Sequence, residues 1–177
     1  MNRRFVSALA ASFALLCAIA RSATTPVPFG TGANTAFADE TADDRQGGWT
    51  DQGANDLRVA KPGRYEHSGV AFEFASDTAT GGKSCIVLGG KPRPYLPQEA
   101  EIPVAAAGGE AVFYLLHAGA WCPSNNEILG RLVLCYDDGT RSSHYIRGGR
   151  DVADWFQAKG GKNLFRSWTE YNGSKQV

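Results

Sequence analysis

Residues 129–146 read LGRLVLCYDDGTRSSHYI. Two runs rich in strand-forming residues, 129–136 and 141–146, flank Asp137-Asp138-Gly139-Thr140. Asp and Gly supply the backbone torsions that a tight turn needs, so the stretch predicts an antiparallel hairpin. Upstream, Val70, Phe72 and Phe74 alternate along 69–75, and 84–88 is a near-continuous apolar run around Cys85 and Val87. Both predict strands at least half buried. The run AVFYLLH at 111–117 is apolar on both faces and predicts the central core strand of a sandwich. No stretch longer than about ten residues keeps a 3.6-residue apolar period. Residues 151–156 suit either one helical turn or a loop anchored by Trp155. With many short strands, no β–α alternation and no internal repeat, the sequence predicts an all-β fold, an antiparallel β-sandwich.

The N-terminus adds a compartment. Arg3 and Arg4 precede an apolar run from 5 to 20 that is short for a membrane span, and small residues follow. This reads as a cleavable signal peptide over 1–22. Two cleavage frames fit, Ala18-x-Ala20 and Ala20-x-Ser22, the second preferred. Cys17 follows Leu16 inside the apolar run, which does not fit a lipoprotein acceptor. Residues 23–33, rich in Thr, Pro and Gly, read as a flexible lead, and 34–177 as the domain. Removing Arg3, Arg4 and Arg21 from eighteen basic residues leaves fifteen against eighteen acidic ones. A mildly acidic mature chain gives no support to nucleic-acid or anionic-membrane binding. It has the length of one domain with one core. The expected location is secreted or periplasmic, where Cys85, Cys122 and Cys135 form an odd set of which one pair can bridge. Their spacing fits no zinc motif.

Polar chemistry is densest in GGWTDQGANDLR at 47–58. Trp49, Asp51, Gln52, Asn55, Asp56 and Arg58 suit a neutral polyol: carboxylate, amide and guanidinium groups bond hydroxyl pairs while an indole covers the apolar face of a sugar ring. The same residues also suit a closed Asx-rich turn, with Trp49 in the core and Arg58 paired to Asp51 or Asp56. Trp121, in AGAWCPSNN at 118–126, is a further candidate ligand contact, although a core position suits it better. Lys91, Arg93 and Tyr95 sit on the proline-stiffened connector 89–97, as ligand contacts or as a surface staple.

Asp39, Glu40, Asp43 and Asp44 admit a calcium site, but they lack the spacing and glycine of an EF-hand, and a solvated acidic turn fits better. No other cofactor is indicated. No pair among Asp51, Asp56, Glu99, Glu101, Glu127 and Asp154 is singled out for glycosidic acid–base work. His67, His117 and His144 accompany no nucleophile elbow, so no catalytic residue is assigned. Gly81-Gly82-Lys83-Ser84 lacks the first glycine of a phosphate loop, its place being taken by Ser76 or Asp77.

The segments ANTAFADETADD, GGWTDQGANDLR, GGKSCIVLGGKPRPYLP, IPV, FYLLHAGAW, YDDGT and GRDVADWF follow in this order from 33 to 156. Over residues 34–155 the chain resembles a β-sandwich accessory domain of bacterial secreted glycoside hydrolases, with GGWTDQGANDL its most specific part. The resemblance implies a jelly roll related to galactose-binding and carbohydrate-binding modules, non-catalytic and commonly attached to a separate catalytic domain. The implied partners are an oligo- or polysaccharide and such a catalytic domain. It carries over no catalytic residues. One departure stands out: after Ser167-Trp168-Thr169 the chain ends within ten residues at Val177, so the closing strands of the sandwich are expected to be missing. A structural module that binds no sugar and a self-standing glycoside hydrolase are the alternative functions.

Overall fold

The computed structural model describes residues 24–29, 32–75, 81–105 and 112–156, and the backbone of 171–172 and 175–176. The signal peptide and Trp168 lie outside these residues. Among them the regular structure is all β, with no α-helix. Strand β1 (Gly63–His67) pairs antiparallel with β2 (Val70–Phe74), β3 (Ile128–Cys135) with β4 (Arg141–Arg147), and the two-residue β5 (Tyr171–Asn172) with β6 (Lys175–Gln176). Each is a two-stranded sheet of its own.

The hairpin of residues 129–146 forms as expected, one residue earlier at its start. Its turn is closed by Gly139 N–H donating to the Tyr136 carbonyl (2.9 Å) and Tyr136 N–H to that of Thr140 (3.0 Å), with Gly139 at φ 83°. Asp138 Oδ1 accepts from both the N–H (2.8 Å) and the hydroxyl (2.6 Å) of Thr140. These bonds hold the Asp138 carboxyl below its usual range. A bulge between Ile128 and Gly130 starts the ladder.

The 69–75 strand also forms, with an unexpected partner. Ser68 and Gly69, both at positive φ (51° and 80°), turn the chain back so that Tyr65 faces Phe72 across β1 and β2. Two successive positive φ values are the geometry of a primed two-residue hairpin turn. Phe74 packs against Tyr65 (4.9 Å between centroids) and edge-on against Phe37 (5.4 Å).

Two expected strands are corrected. Residues 112–117 are irregular, with Val112 72% exposed and Tyr114 56%. A run apolar on both faces states that it can be covered, not what covers it, and no described strand pairs with this one. Residues 84–88 make a single bridge, Thr35 with Cys85. The Asn34 side chain extends it, donating to the Val87 carbonyl (2.9 Å) and accepting from the Val87 N–H (2.8 Å), which occupies the backbone groups a neighbouring strand would use. At the front, the Thr24 hydroxyl accepts the Ala71 N–H (2.8 Å).

The described centre is more polar than apolar. Trp49, Trp155, Val152 and small alanines are buried beside Asp39, Thr50, Asp51, Asp56, Arg93 and Asp151. Hydrogen bonds knit loops together here, where in a larger core apolar packing would do so. Cys85, Cys122 and Cys135 are each free thiols. Burial pushes the Cys85 thiol up to about 12, against the pull of the Arg93 and Lys83 charges.

Candidate functional site

GGWTDQGANDLR divides into an inward set and an outward set. Asp56, fully buried, accepts the Asp39 N–H (2.6 Å) and the Arg58 N–H (2.9 Å), and both its oxygens take the Arg58 guanidinium at 2.8–3.0 Å. Arg58 also donates to the Asp39 carbonyl (2.6 Å). Asp39 in turn accepts the N–H groups of Thr41 (3.2 Å) and Gly53 (2.9 Å). Asp51 accepts the Arg45 N–H (3.1 Å) and the Tyr95 hydroxyl (2.8 Å). Tyr95 accepts from Arg93 Nε (2.7 Å), and Arg93 Nη1 donates to the carbonyls of Trp49 and Gly48.

Arg93 and Tyr95 therefore staple the 89–97 connector onto the 47–51 loop, and Arg45 and Arg93 lie 5.2 and 5.3 Å from the Tyr95 ring centre. Burial raises the Tyr95 hydroxyl above its ordinary value, helped by the Asp51 carboxylate and opposed by Arg93. Trp49 packs edge-on against Trp155, 5.1 Å between centroids. Gly48, at φ 49°, lets the loop backbone lie against the Asp39 side chain: a Cβ there would lie 2.6 Å from Asp39 Oδ2. Gly48→Ala is expected to lower stability by about 1–3 kcal/mol, read as a shifted urea midpoint at unchanged m-value.

The outward set faces an open pocket of about 220 Å³ lined by Gln52, Asn55, Trp121, Asp154, Trp155 and Phe156. Gln52 and Asn55 are three positions apart on the loop, and the Asn55 amide donates to Gln52 Oε1 (3.0 Å). Thr50 fixes them from below, its hydroxyl donating to the Asn55 carbonyl (3.2 Å).

The opposite wall comes from two loops joined by a parallel bridge between Gly119 and Asp154. Gly119 N–H donates to the Ala153 carbonyl (3.0 Å) and Trp155 N–H to that of Gly119 (2.9 Å). Asp154 Oδ2 accepts the Cys122 N–H (3.0 Å) and Oδ1 the Phe156 N–H (3.1 Å). Asp151, buried and bonded by Arg150 and the Arg147 N–H, sets the turn that delivers this loop.

Trp121 is 52% exposed, where the sequence favours a core position, and its backbone is left-handed at φ 55°. A bulky residue in that region costs about 1–3 kcal/mol and marks a position the surroundings enforce.

Of the seven sequence-predicted site residues, Gln52, Asn55 and Trp121 meet in the pocket, and Trp49, Asp51, Asp56 and Arg58 lie in the buried network beside it. Asp154, Trp155 and Phe156 join the pocket from 151–156, a segment whose reading as an anchored loop holds their signal. Asp44 accepts the Gln46 N–H (2.7 Å), and among the described residues no group of three or more His, Cys, Asp or Glu is placed to hold a metal ion.

No family model matches the chain, and neither a curated protein nor a solved structure does.

Proposed function

We propose that the chain is a non-catalytic carbohydrate-binding module working outside the cytoplasm, a jelly-roll β-sandwich related to galactose-binding modules and accessory to a glycoside hydrolase. The observation that carries this reading is the pocket whose lining brings a half-exposed indole, Trp121, together with the amides of Gln52 and Asn55. An aromatic side chain and fixed hydrogen-bonding groups in one pocket are the chemistry of a ring with one apolar face and a rim of hydroxyls. The volume is below the ~300–1,000 Å³ of drug-sized sites, which suits one sugar unit. Among the described residues the lining holds one carboxylate, Asp154, whereas glycosidic hydrolysis commonly uses two. The signal-peptide reading supplies the location.

Affinity electrophoresis through plant, algal and bacterial polysaccharides tests the proposal. Retardation by at least one is expected, weakened about tenfold or more in Trp121→Gly. Glycine accepts the positive φ, and that relief offsets the chain entropy and packing lost with the half-exposed indole, so this variant is expected to melt within a few degrees of the parent. No retardation by any polysaccharide would sink direct sugar recognition.

A structural module that binds no sugar is the second reading, favoured by how completely Asp51, Asp56 and Arg58 are engaged within the chain. Under it, Trp121→Gly changes no retardation.

A further inference from the structure

Among the described residues the pocket's lining carries one charge, and it is negative: Asp154 beside Gln52, Asn55, Trp121, Trp155 and Phe156. Its two oxygens each accept one backbone N–H among the described residues. A carboxylate offers about four acceptor sites, so both oxygens keep capacity toward the pocket. The Gln52–Asn55 bond uses Gln52 Oε1 and one Asn55 amide hydrogen, leaving the Gln52 amide nitrogen as a donor and Asn55 Oδ1 as an acceptor. None of these neutral groups offsets a second negative charge.

From this we infer that the pocket selects saccharides by charge, taking neutral and amine-bearing sugar units and rejecting carboxylated or sulfated ones. The inference rests on the saccharide reading above and deepens it. A hydroxyl or ammonium donates to Asp154, whereas a uronate carboxylate or sulfate at the same place meets like charge with no cation among the described lining residues to receive it.

Calorimetric titration of the full chain with matched triplets tests this: glucose, glucosamine and glucuronate, with the corresponding galactose and mannose series. In the series that binds, the amine is expected to equal or exceed the neutral sugar. The uronate is expected to be weaker by about fivefold or more at low salt, the gap closing near 1 M salt as charge is screened. Asp154→Asn is expected to bring the uronate to within about twofold of the neutral sugar. The salt series on the unaltered chain keeps the test decisive if that variant loosens the Cys122 and Phe156 contacts. A uronate that binds as tightly as its neutral counterpart, or a gap indifferent to salt, overturns the charge inference alone. Silence from all nine sugars overturns the saccharide reading and this inference with it.

Discussion

Trp49→Ala is expected to destabilise the protein by about 3–5 kcal/mol, the range for removing a large buried aromatic side chain, measured by urea unfolding followed by far-UV circular dichroism. Trp49 is 9% exposed, and its ring meets Trp155 nearly at right angles, which makes it the main apolar support under the pocket. Its carbonyl also receives Arg93, so a shifted backbone at 49 disturbs the staple from the 89–97 connector.

Trp49→Phe should behave differently. The indole Nε1–H is buried with no hydrogen-bond partner among the described residues, and an unsatisfied buried donor carries a penalty of about 1–3 kcal/mol. Phenylalanine keeps an aromatic edge toward Trp155 and drops that donor, so its cost is expected to stay below about 1.5 kcal/mol. Equal losses in the two variants would show that the position depends on what only the indole supplies, its larger ring included, and would overturn the view that relief of the unpartnered donor keeps the phenylalanine variant stable.

The contrast between Trp49 and Trp121 also shows what the sequence could tell. Both tryptophans sit in loops among small and polar residues, and loop composition does not say which ring turns inward. The structure sorts them by partner: Trp49 has Trp155 to pack on, while a left-handed backbone turns Trp121 outward. The polar loop was legible as a special segment, yet its division was not. Asp51 and Asp56 turn in to accept the N–H groups of Arg45 and Asp39, and Arg58 follows by donating to Asp56 and to the Asp39 carbonyl. Arg45 and Asp39 lie six to nineteen positions from these partners, and the motif's own spacing does not name them.

Local chemistry fixed the two hairpins most clearly. Asp138-Gly139 encodes one turn, and Ser68-Gly69 encodes the other with equal directness, so β1 was available to a reading that sought a partner for Val70–Phe74. Residues 112–117 lacked any such local cue. Their apolarity is compatible with burial but names no partner, and Tyr114 and Leu115 stand exposed among the described residues.

Removal of the Arg58 side chain is expected to cost about 2–4 kcal/mol at neutral pH and markedly less near pH 3. The usual loss on breaking a buried ion pair is about 3–5 kcal/mol, and Arg58, whose side chain is 37% exposed, is partly screened by water. Burial by itself would push the Asp56 carboxyl up. The Arg58 guanidinium, helped by the N–H groups of Arg58 and Asp39, outweighs that and holds it below the ordinary value. A carboxyl lowered on folding contributes stability that is fully present above its unfolded pKa of about 3.9 and is lost as pH falls through the folded value. Without the Arg58 guanidinium the largest lowering influence is lost and the folded carboxyl rises, so the stability it contributes above about pH 4 shrinks. Parent and variant stabilities should therefore converge in acid and diverge toward neutrality, with Asp39 N–H and Arg58 N–H still holding the protonated carboxyl. In an Asp56→Asn background the Arg58→Ala loss should show a much shallower slope between pH 3 and 6, because the buried carboxylate partner is gone and Glu40, 3.5 Å from Arg58, is exposed. An Arg58→Ala penalty that is as large at pH 3 as at pH 7 in the parent background would place Arg58's contribution in its bond to the Asp39 carbonyl instead.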